Sequence, residues 1–515
     1  MSGLSSNLAA LRADLASYPA QRAAQPAVLA QLRESIPAWC DLAAAEPEAL
    51  SAFLRRAVRD EPALTLLLGS ALFAHHGRPD YFQSAVAACA ALPTSASERF
   101  ESFIWLNYLL TMHKAACSDA DYFALRQRHL APLYRALYDA LPPTSGTLLR
   151  PTLRRALICV SHMNNPRHLA FAWDALEFAH HLRADFGYDV LLLNGNFWLR
   201  GNALPVWPLQ QFTAWNLALR GDWPHRGQTI PYVTLPDTQP TATNLQTAWD
   251  VAAAYNPSLV LSVGDANPYA DRLAPHRPTL TLHFTVDFPI VRHSMVGLHQ
   301  DVPETAPALL SQLPPSAARQ IFLTPQHYSL PGRTHAYPRA ALGLSSTDCV
   351  AVVIGHRLDH EVTPAMLKAL ETVCAALPNL RLVFAGHFHT FEAKLAPYPM
   401  LRRQADYIGH VADVRGLCLM ADIYINPERT GGGSSAVYAM AACVPVLTLP
   451  RGDVAFANGA SNSCTDWPDL QQRLRTWVTD RTARQAAAQQ AQQRAAYLCD
   501  RRGQLANILN QLNIL

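Results

Sequence analysis

The first 147 residues carry apolar side chains at the spacing of amphipathic helices. Leu64, Leu67 and Leu68 recur three and four positions apart, and Pro62, a residue favoured in the first helical turn, stands ahead of them. Further groups of apolar residues at helical spacing follow along this segment, and Gly and Pro lie mostly between these groups. The pattern predicts an all-α helical domain over residues 1–147.

After this segment the pattern changes to short, continuous apolar runs that alternate with helical stretches. Such runs are typical of strands buried on both faces of a parallel sheet. A helix, Phe171–Leu182, is predicted between the first two runs. The predicted strands are Ala156–Val160, Asp189–Leu193, Leu259–Val263 and Thr279–Phe284. We expect a Rossmann-like domain over residues 148–335.

A second block of the same kind begins near residue 340. Its predicted strands are Cys349–Ile354, Leu380–Phe384, Asp422–Ile425 and Val446–Leu449, with a helix over Thr363–Ala376. A Pro-rich stretch, Thr324–Pro338, is the expected hinge before it, and residues 481–515 are expected to form one or two helices. The predicted fold is α/β, with two Rossmann-like domains preceded by an all-α helical domain, the second of them over residues 336–515.

Composition narrows the class of protein. The chain has 515 residues and a formal net charge of +3, which is too weak to favour nucleic acid as a partner. Ten cysteines stand without zinc-binding spacing, so we expect reduced thiols and a cytoplasmic location. No apolar run approaches the length of a membrane span, and the first residues lack the pattern of a signal peptide.

The most informative stretch runs from a buried strand through three glycines into a helix. Asn426 and Pro427 follow the strand, Gly431, Gly432 and Gly433 form the turn, and serines open the helix. Glycines let the backbone approach a ligand closely and adopt positive φ. The free N–H groups and the dipole of a helix N-terminus favour a phosphate. The stretch therefore indicates a phosphate site at the carboxyl end of a strand.

This stretch, with Val444-Pro445-Val446 after it, resembles the donor-binding segment of GT-B glycosyltransferases. The resemblance implies a hexosyltransferase-like enzyme that uses a nucleoside-diphosphate sugar, with a UDP-sugar the expected donor and no separate cofactor. It implies a glycine cradle for the phosphates and Tyr438 near the nucleoside. The residues it places at the donor are Asn426, Glu428, Arg429, Gly431, Gly432, Gly433, Ser434, Ser435 and Tyr438.

A second segment, Gly355-His356-Arg357-Leu358, is similar to the turn with which this superfamily holds the donor diphosphate. A guanidinium makes paired hydrogen bonds to phosphate, so Arg357 is the expected contact. Relatives often add a Lys a few residues later. Here Asp359, His360 and Glu361 stand in its place, and Arg429 or Arg451 are the candidate substitutes.

One departure from the family pattern leaves the stereochemistry open. Many retaining members carry two Glu eight residues apart across the glycine loop. Thr430 and Tyr438 stand at those positions, and Glu428 lies two residues early. Inversion and retention both remain open, and so does loss of activity.

An inverting enzyme needs a base for the acceptor hydroxyl. The candidates follow strands of the first α/β block, and they are His162, Asp265, His283 and Asp287. Gly386-His387-Phe388-His389 is similar to one motif of binuclear metallophosphatases, but the other motifs of those enzymes are missing. We therefore expect no metal site.

The resulting prediction is a metal-independent glycosyltransferase that acts on a protein or glycan acceptor. The helical domain ahead of the GT-B pair resembles the layout of bacterial cytoplasmic protein glycosyltransferases, and it is the expected site of the acceptor or a partner. Two alternatives remain. One is a sugar-nucleotide epimerase on the same fold, and the other is a non-catalytic binding or scaffold protein on a decayed transferase fold.

Overall fold

The computed structural model describes residues 40–514, apart from residues 42–43, 113–118, 162, 164–169, 198–217, 265, 283–288, 300–320, 325–327, 331 and 430. The chain divides into two compact units. The first contains residues 1–283 and 288–297, and the second contains residues 284–287 and 298–515. The domain limits expected from the sequence, at residues 147 and 335, remain predictions.

The N-terminal part of the first unit is helical, as predicted. Pro occupies the first helical turn of α1, α2 and α3, where its missing N–H costs nothing. Ser95 and Glu98 exchange hydrogen bonds in a capping box at the start of α4. A π-helical turn, Arg126–Leu130, joins α5 to α6. The helices are α1 Pro47–Asp60, α2 Pro62–His76, α3 Pro79–Ala91, α4 Ala96–Met112, α5 Asp119–Leu125 and α6 Ala131–Asp139.

Eight of the described strands form the first sheet, in the order β3-β4-β2-β1-β5-β6-β7-β8. The strands are β1 Arg155–Val160, β2 Asp189–Asn194, β3 Arg220–His225, β4 Gln228–Thr234, β5 Leu259–Val263, β6 Thr279–Leu282, β7 Met295–His299 and β8 Ile321–Thr324. Along this order, all strand pairs between β4 and β7 (β4–β2, β2–β1, β1–β5, β5–β6 and β6–β7) are parallel. The edge strand β3 pairs antiparallel with β4. The helices of this part are α7 Ala170–Ala184, α8 Ala242–Tyr255 and α9 Pro268–Leu273.

The helical part and the first sheet share one hydrophobic core. Phe100 and Tyr134 of the helices lie in the same buried cluster as Leu157 of β1 and Tyr269 of α9. The ring of Phe100 lies 5.5 Å, centroid to centroid, from that of Phe197, which follows β2. The helices are therefore packed into the first unit through its own core.

A buried carboxylate strengthens this junction. Asp271 of α9 is 1% exposed, and its Oδ2 accepts the hydroxyl of Tyr134 at 2.6 Å. The backbone N–H groups of Arg292, His293 and Ser294 donate to the same carboxylate at 2.8–2.9 Å. The Ser294 hydroxyl adds a further bond at 2.7 Å. One side chain thus links α6, α9 and the segment before β7.

The second unit is built around a parallel sheet in the order β11-β10-β9-β12-β13. Its strands are β9 Cys349–Gly355, β10 Leu380–Gly386, β11 Ala405–Tyr407, β12 Ile423–Ile425 and β13 Val446–Leu447. Its helices are α10 Leu358–Glu361, α11 Pro364–Cys374, α12 Phe391–Leu395, α13 Pro399–Gln404, α14 Val414–Cys418, α15 Gly433–Ala441, α16 Gly452–Asn458, α17 Trp467–Thr479, α18 Arg481–Leu498 and α19 Arg501–Gln511.

Both faces of this second sheet are buried. Ala351 and Val353 of β9 point into one apolar cluster, and Val350 and Val352 point into the other. The continuous apolar runs therefore predict the strands correctly, because each strand needs apolar side chains on both faces. The described residues contain no helix with the length and apolar character needed to cross a membrane.

Candidate functional site

The carboxyl ends of β9 and β10 lie in direct backbone contact. Gly386 has a φ of 119°, and a Cβ at this position would overlap the carbonyl oxygen of Gly355. The N–H of His387 donates to that same oxygen at 3.1 Å, and the N–H of Gly386 donates to the carbonyl of Gly409 at 2.8 Å. Open α/β sheets bind ligands at this edge. The contacts hold three strand-end loops together there.

The glycine-rich loop leads from β12 into α15 and depends on the absence of side chains. Gly432 is the N-cap of α15 and has a φ of 93°, in the left-handed region. A Cβ on Gly432 would lie 2.5 Å from the guanidinium of Arg429. A Cβ on Gly433 would overlap the hydroxyl of Tyr328. Two of the three glycines are therefore required by the local packing.

Arg429 supports this loop from the inside. Its side chain is 6% exposed, and its Nε donates to Oδ1 of Asn426 at 2.9 Å. Its Nη2 donates to the hydroxyls of Tyr424, at 2.7 Å, and Ser435, at 3.3 Å. It also pairs with the carboxylate of Glu361 at 3.3 Å. Asn426 and Arg429, expected at the donor, thus lie within the loop's own hydrogen-bond network.

Arg357 lies on the open side of the same network. Its side chain is 44% exposed, and its Nε donates to Oε1 of Glu361 at 3.0 Å. The Cβ position of Gly431 lies 4.0 Å from a terminal nitrogen of Arg357. The structure therefore brings together the two segments that resemble the donor site, although 74 positions separate them (431 − 357).

Glu361 lies in the segment where relatives often carry a lysine, and no other role was predicted for it from the sequence. It is 6% exposed, and its two oxygens receive Arg357 and Arg429 separately. Its carbonyl also accepts the N–H of Glu428 at 3.0 Å. The spacing of four residues could have predicted an ion pair between Arg357 and Glu361, because side chains four positions apart meet on one face of a helix.

The remaining residues expected at the donor lie around the start of α15. The carboxylate of Glu428 accepts the hydroxyl of Thr363 at 2.8 Å. Ser434 is partly exposed in the first turn of α15, and Tyr438 is partly buried against the apolar cluster beneath that helix. Arg451 is exposed at the N-cap of α16, and Thr430 lies outside the described residues.

The four candidate bases also lie outside the described residues. They are His162, Asp265, His283 and Asp287. Their roles stay predictions.

Three histidines form a cluster that the sequence analysis missed. His356 follows β9, His387 follows β10 and His410 follows β11. Their ring centroids are 5.3 to 5.8 Å apart. Desolvation lowers the pKa of His356, and the neighbouring His387 and His410 lower it further. The sequence motif contains His387 and His389 together, but the centroids of these two rings are 6.2 Å apart, farther than any two rings within the cluster.

The arrangement suits an anion at the start of α15. The N-cap residue, Gly432, has no side chain, so no cap side chain accepts hydrogen bonds from the first N–H groups of the helix. Such groups bind phosphate together with the helix dipole. The guanidinium of Arg357 adds a positive charge near the glycine turn.

Comparison with known proteins gives a consistent result. Residues 339–494 match the family described as "Glycosyl transferases group 1". No curated protein is similar enough to count as a match. A glycosyltransferase from Rickettsia africae ESF-5 has a similar structure, with 10% sequence identity and a TM-score of 0.50. That similarity covers 70% of this chain and 98% of the Rickettsia chain.

Two further solved structures are similar at lower TM-scores. Anabaena Alr3699/HepE in complex with UDP and glucose is 15% identical, with a TM-score of 0.47, over 70% of this chain and 100% of that chain. A Thermobaculum terrenum O-GlcNAc transferase mutant is 14% identical, with a TM-score of 0.47, over 98% of this chain and 97% of that chain. Residues 339–494 therefore match a domain of the glycosyl transferases group 1, and the chain has the GT-B fold that it shares with the Rickettsia glycosyltransferase.

Proposed function

We propose that this enzyme transfers a sugar from a nucleoside-diphosphate sugar, with a UDP-sugar as the expected donor, to a protein or glycan acceptor. The supporting observation is the placement of Arg357 beside Gly431, at the uncapped start of α15. This pairing of a guanidinium with a helix N-terminus provides positive potential for a diphosphate. The second unit is therefore the proposed donor side.

The proposed chemistry follows from where negative charge grows. As the glycosidic bond breaks, charge accumulates on the departing nucleoside diphosphate. Arg357 and the N–H groups at the start of α15, those of Gly433, Ser434 and Ser435, are the proposed groups that stabilise that charge. These groups carry the diphosphate charge without a metal ion, so the transfer step is proposed to be metal-independent. Tyr438 remains the proposed neighbour of the nucleoside.

Asn426, Arg429 and Glu428 have a supporting role in this proposal. Arg429 is buried and hydrogen-bonded to Asn426, so it holds the glycine turn in shape instead of reaching the donor. The carboxylate of Glu428 accepts a hydrogen bond from the hydroxyl of Thr363. The first α/β block, whose sequence supplies the candidate bases, is the proposed acceptor side, and the helices of residues 47–139 are the proposed place for a protein acceptor or partner. The proposed location is cytoplasmic.

Donor binding tests this function directly. We would measure calorimetric affinity and thermal stability of the full chain with UDP-, GDP- and dTDP-sugars. A ligand that binds only the folded state raises its stability. We expect one nucleotide to bind, and Arg357→Ala to weaken it at least about tenfold, which is about 1.4 kcal/mol.

Arg403→Ala is the matched control, because it removes the same charge from an exposed position on α13. It should leave the affinity unchanged. If no nucleotide sugar binds at millimolar concentration, the transferase proposal fails and a scaffold role takes its place. If the donor alone is converted to an epimer, the epimerase alternative is correct.

A further inference from the structure

The three histidines at the carboxyl edge of the second sheet are close enough to share one ligand. Each of His356, His387 and His410 offers one ring nitrogen, and these three atoms lie within 4.8 Å of one another. They come from the loops after three neighbouring strands, β9, β10 and β11. The cluster is therefore a product of the fold and not of local sequence.

The backbone beneath the rings is already held in place. The N–H of His387 donates to the carbonyl of Gly355, directly before His356. The N–H of Gly386 donates to the carbonyl of Gly409, directly before His410. These bonds link all three loops. A preorganised backbone lowers the conformational entropy that a shared ligand must overcome.

The rings themselves are available for coordination. Within the described part of the chain, none of the three imidazoles makes a hydrogen bond or an ion pair. Ring-to-ring contacts are their main interactions. The three histidines are at least partly exposed, so a metal ion can reach their ring nitrogens from solvent, and a neutral imidazole offers it a lone pair.

We propose that His356, His387 and His410 bind one divalent transition-metal ion of the zinc class. Zn²⁺ binds imidazole nitrogen at about 2.0–2.1 Å, which places tetrahedral ligand atoms about 3.3 Å apart. Side-chain rotations that bring the nitrogens closer by at most about 1.5 Å would reach this geometry. Three protein ligands leave the fourth position open to water or another ligand.

The donor set selects the class of metal. Imidazole nitrogen suits Zn²⁺, Co²⁺, Ni²⁺ and Cu²⁺, whereas Mg²⁺ and Ca²⁺ prefer carboxylate and carbonyl oxygen. No carboxylate belongs to this triad. The triad uses different side chains from the proposed diphosphate cradle, which relies on Arg357 and the start of α15, and His356 directly precedes Arg357 in the chain. Metal binding here neither requires the transferase proposal nor replaces its diphosphate contacts.

The test is direct metal binding to the untagged full chain after treatment with a chelator. Co²⁺ is the spectroscopic probe, because four-coordinate Co²⁺ with nitrogen ligands absorbs visible light strongly. Zn²⁺ competition then gives the affinity. We expect one ion at this site, and a loss of at least about tenfold in affinity for each of H356A, H387A and H410A.

Two control variants sharpen the result. His389→Ala removes an exposed histidine from the same loop as His387 but outside the triad, so binding should be unchanged. Among the described residues, Cys40, His75 and His76 form a second group with metal-ligand spacing. His75→Ala should leave the Co²⁺ spectrum of the triad intact, and that spectrum should lack a thiolate charge-transfer band.

Several outcomes would overturn the proposal. One is no Co²⁺ or Zn²⁺ bound at micromolar concentration by a folded, chelator-treated chain. Another is equal binding by wild type and the three triad variants. If alanine disturbs folding, H356Q, H387Q and H410Q replace it. A loss of nucleotide binding in these variants without any metal bound by wild type would show that the rings hold the nucleoside instead. Because the metal titration contains no nucleotide, failure of the donor proposal leaves its result unaffected.

Discussion

Asp271 in the first unit and Glu361 in the second are both buried carboxylates that join several elements, and they differ in the groups that bond to them. Asp271, in the first unit, receives three backbone N–H groups and two hydroxyls. Glu361, in the second unit, receives the guanidinium groups of Arg357 and Arg429. The first is held by neutral dipoles and the second by full positive charges.

The difference separates a structural junction from a binding edge. Neutral donors satisfy Asp271 completely and leave it no further ligand, so its role is to hold α6 against α9. Two guanidinium groups around the Glu361 carboxylate carry one more positive charge than it cancels, beside the glycine-rich loop. Arg357 is the more exposed of the two, so the excess lies where the proposed diphosphate arrives.

The largest expected effect comes from Asp271→Asn. The new amide would direct an N–H at donors that now bond to an oxygen, and the buried donors would lose partners. We expect the first unit to lose about 3 to 4 kcal/mol of stability. Hydrogen exchange should show lower protection of α4 and α6, with donor affinity in the second unit unchanged.

Asp139→Asn is the matched control for this prediction. The Asp139 carboxylate pairs with the Arg292 side chain, but it is 52% exposed. Exposed pairs contribute little, so the loss should stay below about 1 kcal/mol. Equal losses for both variants would show that Asp271 is not the junction described above.

The contrast also shows what sequence patterns can predict. The strands β1, β5 and β9 were predicted within one residue, because continuous apolar runs report burial on both faces. The β3–β4 hairpin was missed. Its first strand, RGDWPH, has no apolar alternation and contains Pro224, because it lies at the edge of the sheet.

At the proposed donor side, sequence motifs located the loops but not the contacts between them. Arg357 and the glycine turn were found through a family resemblance. Arg429 was expected to reach the donor, yet it is buried beneath the turn. The roles of Glu361 and of the histidine triad depend on which loops the sheet order brings together, and no local spacing encodes that order.

The next prediction concerns Glu361→Gln, which keeps the shape of the side chain and removes its charge. Arg429 would keep Asn426 and Tyr424 as acceptors, and Arg357 is solvated, so the loss of stability should be about 2 to 3 kcal/mol. Unlike Asp271→Asn, this change should also weaken nucleotide-sugar binding, because Arg357 loses its anchor. Calorimetry on the same variants measures both effects.

Glu392→Gln provides the control, since Glu392 pairs with Arg402 on the surface of the same unit. It should change neither stability nor affinity by more than about 1 kcal/mol. Unchanged donor affinity in Glu361→Gln would break the comparison, because Glu361 would then be as purely structural as Asp271.

The smallest expected effect reaches the same network through the backbone. Gly432→Ala places a methyl group against the guanidinium of Arg429 and forces a non-glycine residue to a φ of 93°. We expect about 1 to 2 kcal/mol of lost stability and weaker donor binding, because Arg429 must move. Gly431→Ala is the matched control, since the nearest atom to its Cβ position is 4.0 Å away and its φ is not left-handed. Thermal unfolding should separate the two variants, and equal stability would mean that the loop relaxes without help from Arg429, so that the charged network does not position the turn.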